Sequence, residues 1–182
     1  KGNYYGLKPK EIKKIVSGLG MKLRSGHVHI DDKWQQTIEQ AVETGQEYLI
    51  VSSMPNEGQT IDNYKKTADA FNRAGEECRK AGLLFGYHNH DYEFEKDGDK
   101  ILYDVLLENT DPSLVNMEMD LGWVVVTGND PLKYFEKYPG RFPLWHLKDM
   151  IIAKKHSTEF GKGDMDIPKM LANAGKSGMK YY

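Results

Sequence analysis

The sequence predicts an α/β fold in which parallel strands alternate with helices to form a (β/α)8 barrel. Three polar blocks at the ends of mainly apolar runs support this: His88-Asn89-His90-Asp91-Tyr92-Glu93, Glu118-Met119-Asp120 and His146-Leu147-Lys148-Asp149. Glu93 and Asp120 are 27 positions apart, and Asp120 and His146 are 26 apart. Because one strand–helix repeat takes roughly 30 residues, this spacing predicts that the blocks lie at the same end of consecutive parallel strands.

Five short apolar or alternating runs predict the strands. Gly, Pro or Asn residues bound these runs, which is typical of strands. The predicted strands are Met21–Ile30, Glu47–Met54, Leu83–Phe94, Leu114–Leu121 and Phe142–Asp149.

Helices are predicted between these strands. The longest amphipathic stripe starts at Ile61, repeats apolar residues three and four positions apart, and ends at Gly82. Asp130 followed by Pro131 has the pattern of a helix cap and a first helical residue. The predicted helices cover residues 9–17, 34–45, 61–82, 131–139 and 167–176.

An open, doubly wound sheet is the alternative arrangement of alternating strands and helices. No G-x-G-x-x-G motif follows the first predicted strand, which disfavours a dinucleotide-binding open sheet. A complete barrel usually needs about 250 residues, so 182 residues supply about six of its eight units. We therefore expect residues 1–182 to form a single barrel domain that lacks the first strand and the last one to two strands. Flanking segments, or another chain in a homo-oligomer, would then cover the exposed sheet edges.

Charge and composition disfavour several classes of partner. The formal net charge is −2, and acidic and basic residues are well mixed, so no basic stripe is present for nucleic acid. No apolar stretch is long enough to span a membrane. The single cysteine, Cys78, excludes an internal disulfide. We expect a small molecule as partner, with neither nucleic acid nor membrane involved.

Several motifs in order resemble the xylose isomerase-like TIM barrel family of sugar phosphate isomerases and epimerases, and the resemblance covers nearly the whole chain. The segments are Leu83-Leu84-Phe85-Gly86-Tyr87-His88-Asn89-His90, Glu118-Met119-Asp120-Leu121-Gly122-Trp123 with Asp130-Pro131, and Tyr138-Pro139-Gly140-Arg141 followed by His146-Leu147-Lys148-Asp149. The resemblance implies a TIM barrel with one divalent metal ion, often Mn²⁺ or Zn²⁺, with Mg²⁺ and Co²⁺ as alternatives. It also implies that two Glu, one Asp and one His bind the ion at the C-terminal ends of strands.

By that resemblance, Asp120 and His146 are the Asp and His ligands. Many members of the family have a Glu where this sequence has His88. Either His88 binds the ion, or Glu93 replaces the missing carboxylate. We expect Glu93, since an anionic oxygen suits a hard divalent ion. Strand alternation requires that the strand end or bulge before Glu93, because Glu93 otherwise lies on the opposite face from His90. The remaining Glu ligand is expected beyond Tyr182.

Such a site predicts chemistry next to a carbonyl. A divalent ion with open positions can polarise the carbonyl of a hydroxy-ketone and acidify the neighbouring C–H. A base then removes the proton, and reprotonation of the enediolate gives an isomer or epimer, whereas loss of a hydroxyl gives dehydration. We expect His88 and His90 as the acid and base, and Lys148 as the group that neutralises enolate charge.

Three further residues are expected to bind substrate. The family resemblance makes His27 a wall of the pocket, and Glu118 shares a strand face with Asp120. Trp123 would pack against a sugar ring. We therefore expect a metal-dependent sugar or sugar phosphate isomerase or epimerase. The alternatives are a lyase or hydrolase on the same scaffold, inosose dehydratase-like or keto-glycoside-cleaving, and a non-catalytic sugar-binding barrel.

Overall fold

Five parallel strands form the main sheet of the computed structural model, which describes residues 4–55 and 58–182. The strands are β1 (Ser25–Val28), β2 (Tyr48–Val51), β3 (Leu84–His88), β4 (Val115–Asp120) and β5 (Leu144–His146). Each strand pairs in parallel with the next one along the chain. This sequential order is that of consecutive units in a barrel, and it differs from the reversal of order in a doubly wound sheet.

Helices and two small hairpins connect the strands. The helices of the described residues are α1 (Pro9–Gly18), α2 (Trp34–Thr44), α3 (Ile61–Lys80), α4 (Leu102–Asn109), α5 (Leu121–Val126), α6 (Pro131–Lys137), α7 (Ile167–Ala172) and α8 (Ala174–Ser177). The antiparallel hairpins pair Lys96–Asp97 with Lys100–Ile101, and Asp149–Ile151 with His156–Thr158. Across these described ranges, none of the helices combines the length and apolarity needed to cross a membrane.

The observed elements differ from the predicted ones at their ends. The run predicted as a strand over 83–94 leaves the sheet after His88 and continues into a 3₁₀ turn at Tyr92–Phe94. The sequence pattern also did not single out α4 or α5. Helix α5 starts immediately after β4, and six residues are too few to show a helical repeat in the sequence.

Side-chain alternation along the strands creates two apolar clusters. Phe85 and Met117 point towards the helices and belong to the large core. Tyr48, Ile50 and Leu144 form a smaller cluster on the opposite face of the sheet, inside the curve of the barrel. The strands β2 and β3 are buried on both faces and therefore read as mainly apolar runs in the sequence, whereas the edge strand β1 is largely exposed.

Tyr181 pairs with the β5 edge of the sheet. Its backbone forms an isolated parallel bridge with Leu144 and accepts a hydrogen bond from Trp145 N at 3.0 Å. Its hydroxyl donates to Glu47 Oε2 at 3.0 Å, and the Arg24 guanidinium lies 5.1 Å from its ring centroid. Since Arg24 and Glu47 precede β1 and β2, Tyr181 connects β5 to the N-terminal ends of the first two strands.

The substitution Gly75→Ala tests the packing of α3 against β4. A Cβ at position 75 would lie 2.6 Å from the backbone oxygen of Leu114, which cannot move without disturbing the strand. We expect a loss of unfolding free energy of about 1–3 kcal/mol in urea denaturation, despite the better helix propensity of Ala. Gly175→Ala is the matched control, because the added Cβ would have no described atom within 4 Å apart from its chain neighbours and the backbone of its own helix. It should leave stability unchanged or slightly increased. Equal stability of Gly75→Ala and wild type would contradict this packing.

Candidate metal centre

Polar residues replace the inner apolar cluster at the C-terminal ends of the strands. His88 pairs with Glu118 in the register of β3 and β4, and Asp120 pairs with His146 in the register of β4 and β5. Paired residues of neighbouring strands share a face of the sheet, so these four side chains point to the same side. In barrel enzymes this end of the sheet carries the active site.

A first group of candidate metal-ligand atoms, here termed a donor group, surrounds the buried Oδ2 atom of Asp120. Candidate ligand atoms of His88, Asp120 and His146 lie within 4.8 Å of one another, a spacing that could accommodate a metal ion. The Asp120 Oδ2 atom is 3.2 Å from His146 Nδ1, 3.7 Å from His88 Nε2 and 2.7 Å from Lys148 Nζ. Within the described structure, this buried oxygen accepts no hydrogen bond of acceptable geometry, so Lys148 is only an ion-pair partner. A buried carboxylate oxygen in this condition fits a divalent cation.

Every other polar group of Asp120 has a hydrogen-bond partner. Its Oδ1 accepts a hydrogen bond from Trp123 N at 3.2 Å, which caps α5. Its backbone N donates to Asn89 Oδ1 at 3.0 Å, and its backbone O accepts from Asn89 Nδ2 at 3.4 Å. Asn89 is fully buried and holds Asp120 in place. Sequence reasoning gave Asn89 no role, because nothing in the residue type identifies its partner on the next strand.

A second group of donors shares His88 with the first. Glu118 Oε1 lies 2.7 Å from His27 Nε2 and 2.9 Å from His88 Nδ1, and the three side chains again form a possible ion site. Burial acts to raise the pKa of Glu118, but the hydrogen bonds from His27 and His88 lower it to about 2. Glu118 is therefore an anion at neutral pH, and His88 lies between two carboxylates.

Glu93 is fully buried but already has two partners. One carboxylate oxygen accepts a hydrogen bond from the Tyr87 hydroxyl, and the other accepts from His90 N at 2.8 Å. Neither donor group found among residues 4–55 and 58–182 includes Glu93. The strand does end before Glu93, but the turn aims its carboxylate at Tyr87. Its role as a ligand stays a prediction, and the alternative, His88, lies in both groups.

His90 and Lys148 lie next to the donor groups. The His90 ring stacks on Tyr92, with centroids 5.3 Å apart, and lies 5.0 Å from the His88 ring. Its Nδ1 is buried and, within the described residues, has no hydrogen-bond partner. Lys148 Nζ lies 5.1 Å from the centroid of the Trp123 ring, which places Trp123 close to the Asp120 group.

The surroundings of His146 favour its neutral form. Burial lowers the pKa of its imidazole, the Asp120 carboxylate opposes this effect, and the Lys148 ammonium adds to it. A lowered pKa favours neutral imidazole at neutral pH, the form that offers a lone pair to an ion.

Asp149 stabilises the loop that follows Lys148 through hydrogen bonds to the loop backbone. Its carboxylate accepts hydrogen bonds from four backbone N–H groups, at Met150 (3.0 Å), Gly161 (2.8 Å), Gly163 (3.0 Å) and Met165 (3.3 Å). A Cβ at Gly163 would lie 2.1 Å from Asp149 Oδ1, so only glycine allows this approach. Burial acts to raise the pKa of Asp149, but the backbone N–H groups lower it below its usual value. Asp149 thereby closes the 149–165 loop beside the site.

The substitution Asp149→Asn should reduce stability in a pH-dependent way. Since the folded-state pKa of Asp149 is below the unfolded value of about 3.9, its contribution is complete above about pH 5 and is lost as the pH falls through the folded-state pKa. We expect a loss of about 1–3 kcal/mol at pH 7 that shrinks towards pH 3, measured by urea unfolding across that range. The exposed Asp69→Asn is the control. A difference from wild type that does not change with pH would contradict this role.

Comparison with known proteins places this geometry in a family. Two crystal structures of a sugar phosphate isomerase/epimerase from Parabacteroides distasonis share 30% identity with this chain at TM-scores of 0.85 and 0.86, covering 97% and 100% of this chain and 67% and 74% of theirs. The inosose dehydratase of Lacticaseibacillus casei is 33% identical over 91 residues, which span 50% of this chain and only 30% of that relative. The structure of IolI protein with a bound zinc atom has the same fold, with 12% identity and a TM-score of 0.70 over 92% of this chain and 69% of that one.

The family model supports the same conclusion along most of the sequence. The model for the xylose isomerase-like TIM barrel matches residues 21–181, which include all five strands of the sheet. The predicted fold class is thereby confirmed, and the chain belongs to the xylose isomerase-like TIM barrel family.

Proposed function

We propose that this chain carries the metal centre of a sugar isomerase or epimerase that removes a proton next to a substrate carbonyl. The observation that carries the proposal is the group formed by His88, Asp120 and His146, with the buried Oδ2 of Asp120 at its centre. The 30% identity to the sugar phosphate isomerase/epimerase of Parabacteroides distasonis supports this reaction class.

The proposed ligands are His88, Asp120 and His146. We prefer His88 to Glu93 because both carboxylate oxygens of Glu93 already accept hydrogen bonds. Two imidazoles and one carboxylate suit Zn²⁺ or Mn²⁺, and the zinc atom in the IolI structure supports zinc. A divalent ion bound here would supply Lewis acidity to a substrate carbonyl.

The remaining residues are assigned by their exposure and by their position around the proposed ligands. The His90 side chain is 32% exposed, and its buried Nδ1 lies 3.9 Å from Glu93 Oε1, which would stabilise a protonated ring. His90 is therefore the proposed base that takes the substrate proton. The Lys148 ammonium would offset negative charge that develops on a substrate oxygen. His27, with 43% of its side chain exposed, and Trp123 would form the walls against which the sugar lies.

A dehydratase is the second candidate function. The match to inosose dehydratase over 91 residues favours it. Both reactions start with removal of a proton next to a carbonyl, and they differ only in whether the substrate is then reprotonated or loses a hydroxyl. Proton NMR in D₂O with ketoses, ketose phosphates and inososes would separate them: an isomerase incorporates deuterium into an isomeric product, whereas a dehydratase releases water and forms a new unsaturated product.

The substitution Asp120→Asn tests the metal mechanism. Removing the central anionic ligand should lower turnover by about 100-fold or more, and should abolish stoichiometric Zn²⁺ or Mn²⁺ binding, while near-native circular dichroism is retained. The exposed Asp69→Asn makes the same change of charge away from the site and should behave as wild type. Full activity and metal content in Asp120→Asn would refute the proposed function.

The substitution Lys148→Met tests whether the ammonium and the metal ion compete for Asp120. Lys148 Nζ lies 2.7 Å from the oxygen that would bind the ion, so its removal takes away a competing positive charge. We expect tighter Zn²⁺ binding in calorimetry together with slower turnover. Lys65→Met, on the exposed side of α3, should change neither. Weaker Zn²⁺ binding in Lys148→Met would show that the two cations do not compete.

A further inference from the structure

We infer that Glu118 is a positioning residue of the metal centre: it holds the proton of His88 on Nδ1, so that Nε2 presents a lone pair beside Asp120. The inference rests on the proposed function and deepens it. It gives Glu118 a role different from the substrate contact that the sequence pattern suggested, and it assigns His27 to the same hydrogen-bond chain.

The two nitrogens of His88 face two different carboxylates at different distances. Nδ1 lies 2.9 Å from Glu118 Oε1, a normal hydrogen-bond length, whereas Nε2 lies 3.7 Å from Asp120 Oδ2, beyond that length. Neutral imidazole has one N–H and one lone pair. The proton therefore belongs on Nδ1, where it is donated to Glu118.

The opposite tautomer would be costly at this position. It would place the Nδ1 lone pair against an anionic oxygen at 2.9 Å. The side chains of His88 and Glu118 are only 4% and 12% exposed, so water gives little relief from this repulsion.

His27 orients Glu118 in turn. His27 Nε2 lies 2.7 Å from Oε1, the same oxygen that accepts from His88, so two imidazoles fix one carboxylate from two strands. The resulting chain runs from the half-exposed His27 through Glu118 to His88. A carboxylate behind a histidine ligand is the arrangement that fixes the tautomer and raises the basicity of the ligating nitrogen.

A second ion between His27, His88 and Glu118 is the competing interpretation. That ion would require the lone pair of His88 Nδ1, which would leave Nε2 with the proton unless the ring were ionised. The short contacts of both imidazoles to one oxygen favour hydrogen bonds instead. The inference therefore predicts one ion per chain, and two ions per chain by elemental analysis of zinc-saturated protein would overturn it.

Long-range ¹H–¹⁵N NMR of the metal-free protein at pH 8 tests the tautomer directly. We expect His88 to show a protonated Nδ1 and an unprotonated Nε2. A proton on Nε2, or on both nitrogens, would overturn the inference whether or not the protein binds metal, so this result is separate from the fate of the proposed function.

The substitution Glu118→Gln tests the consequence for metal binding. Loss of the anionic acceptor should weaken Zn²⁺ binding by about 10–100-fold in calorimetry, because the neutral amide no longer enforces the tautomer. Glu39→Gln, on the exposed side of α2, makes the same change of charge and should bind Zn²⁺ as wild type does. Unchanged affinity in Glu118→Gln would overturn the inference alone, whereas a wild type that binds no Zn²⁺ would overturn the proposed metal centre as well. If Glu118→Gln does not fold, as judged by thermal melting, the NMR result on the wild type decides.

Discussion

The buried carboxylate of Asp120 is the constraint on which the site depends. An anion that is fully buried is costly unless cations or hydrogen-bond donors surround it. Asn89 binds the Asp120 backbone, Trp123 N binds Oδ1, and Oδ2 is left facing imidazoles and the Lys148 ammonium. The protein thus fixes the carboxylate firmly, and within residues 4–55 and 58–182 its Oδ2 accepts no hydrogen bond. That combination is the basis of the proposed metal centre.

The same sheet supplies both the stability and the chemistry of the molecule. Along the inner face, buried Ile50 and Leu144 fill the region beside the polar groups, since they pair in register with His27 and Glu118. Gly86 makes this filling possible, since a Cβ there would lie 2.7 Å from Ile50 Cδ1. These buried apolar residues lower the local dielectric beside the donor groups, which strengthens electrostatic interactions there.

Hydrogen-bond partners beyond the donor groups organise the surrounding segments. Asp149 accepts hydrogen bonds from the backbone of the 149–165 loop and so stabilises that loop next to Lys148. Glu93, in the turn after β3, accepts hydrogen bonds from the Tyr87 hydroxyl and from the backbone N of His90. In both cases a buried carboxylate accepts backbone N–H groups that would otherwise lack a partner. The two carboxylates have different structural roles from Asp120, although all three occur in similar polar blocks of the sequence.

The sequence by itself determined the fold class and the five strands, because strand–helix repeats and strand-end polar blocks have a fixed spacing along the chain. Asp120 and His146 were predicted as metal ligands from the family resemblance. The sequence also offered His88 and Glu93 as alternative ligands and favoured Glu93, because an anionic oxygen suits a hard divalent ion. Only the tertiary structure decided which side chains meet. Strand β3 ends at His88, and the following turn directs Glu93 towards Tyr87. Glu118 lies between His27 and His88. The physical reason is that partners such as His27 and Glu118 are 91 positions apart. Sequence periodicity assigns each residue to a face of its own strand, whereas the register between strands, which only the folded chain establishes, selects the residue opposite.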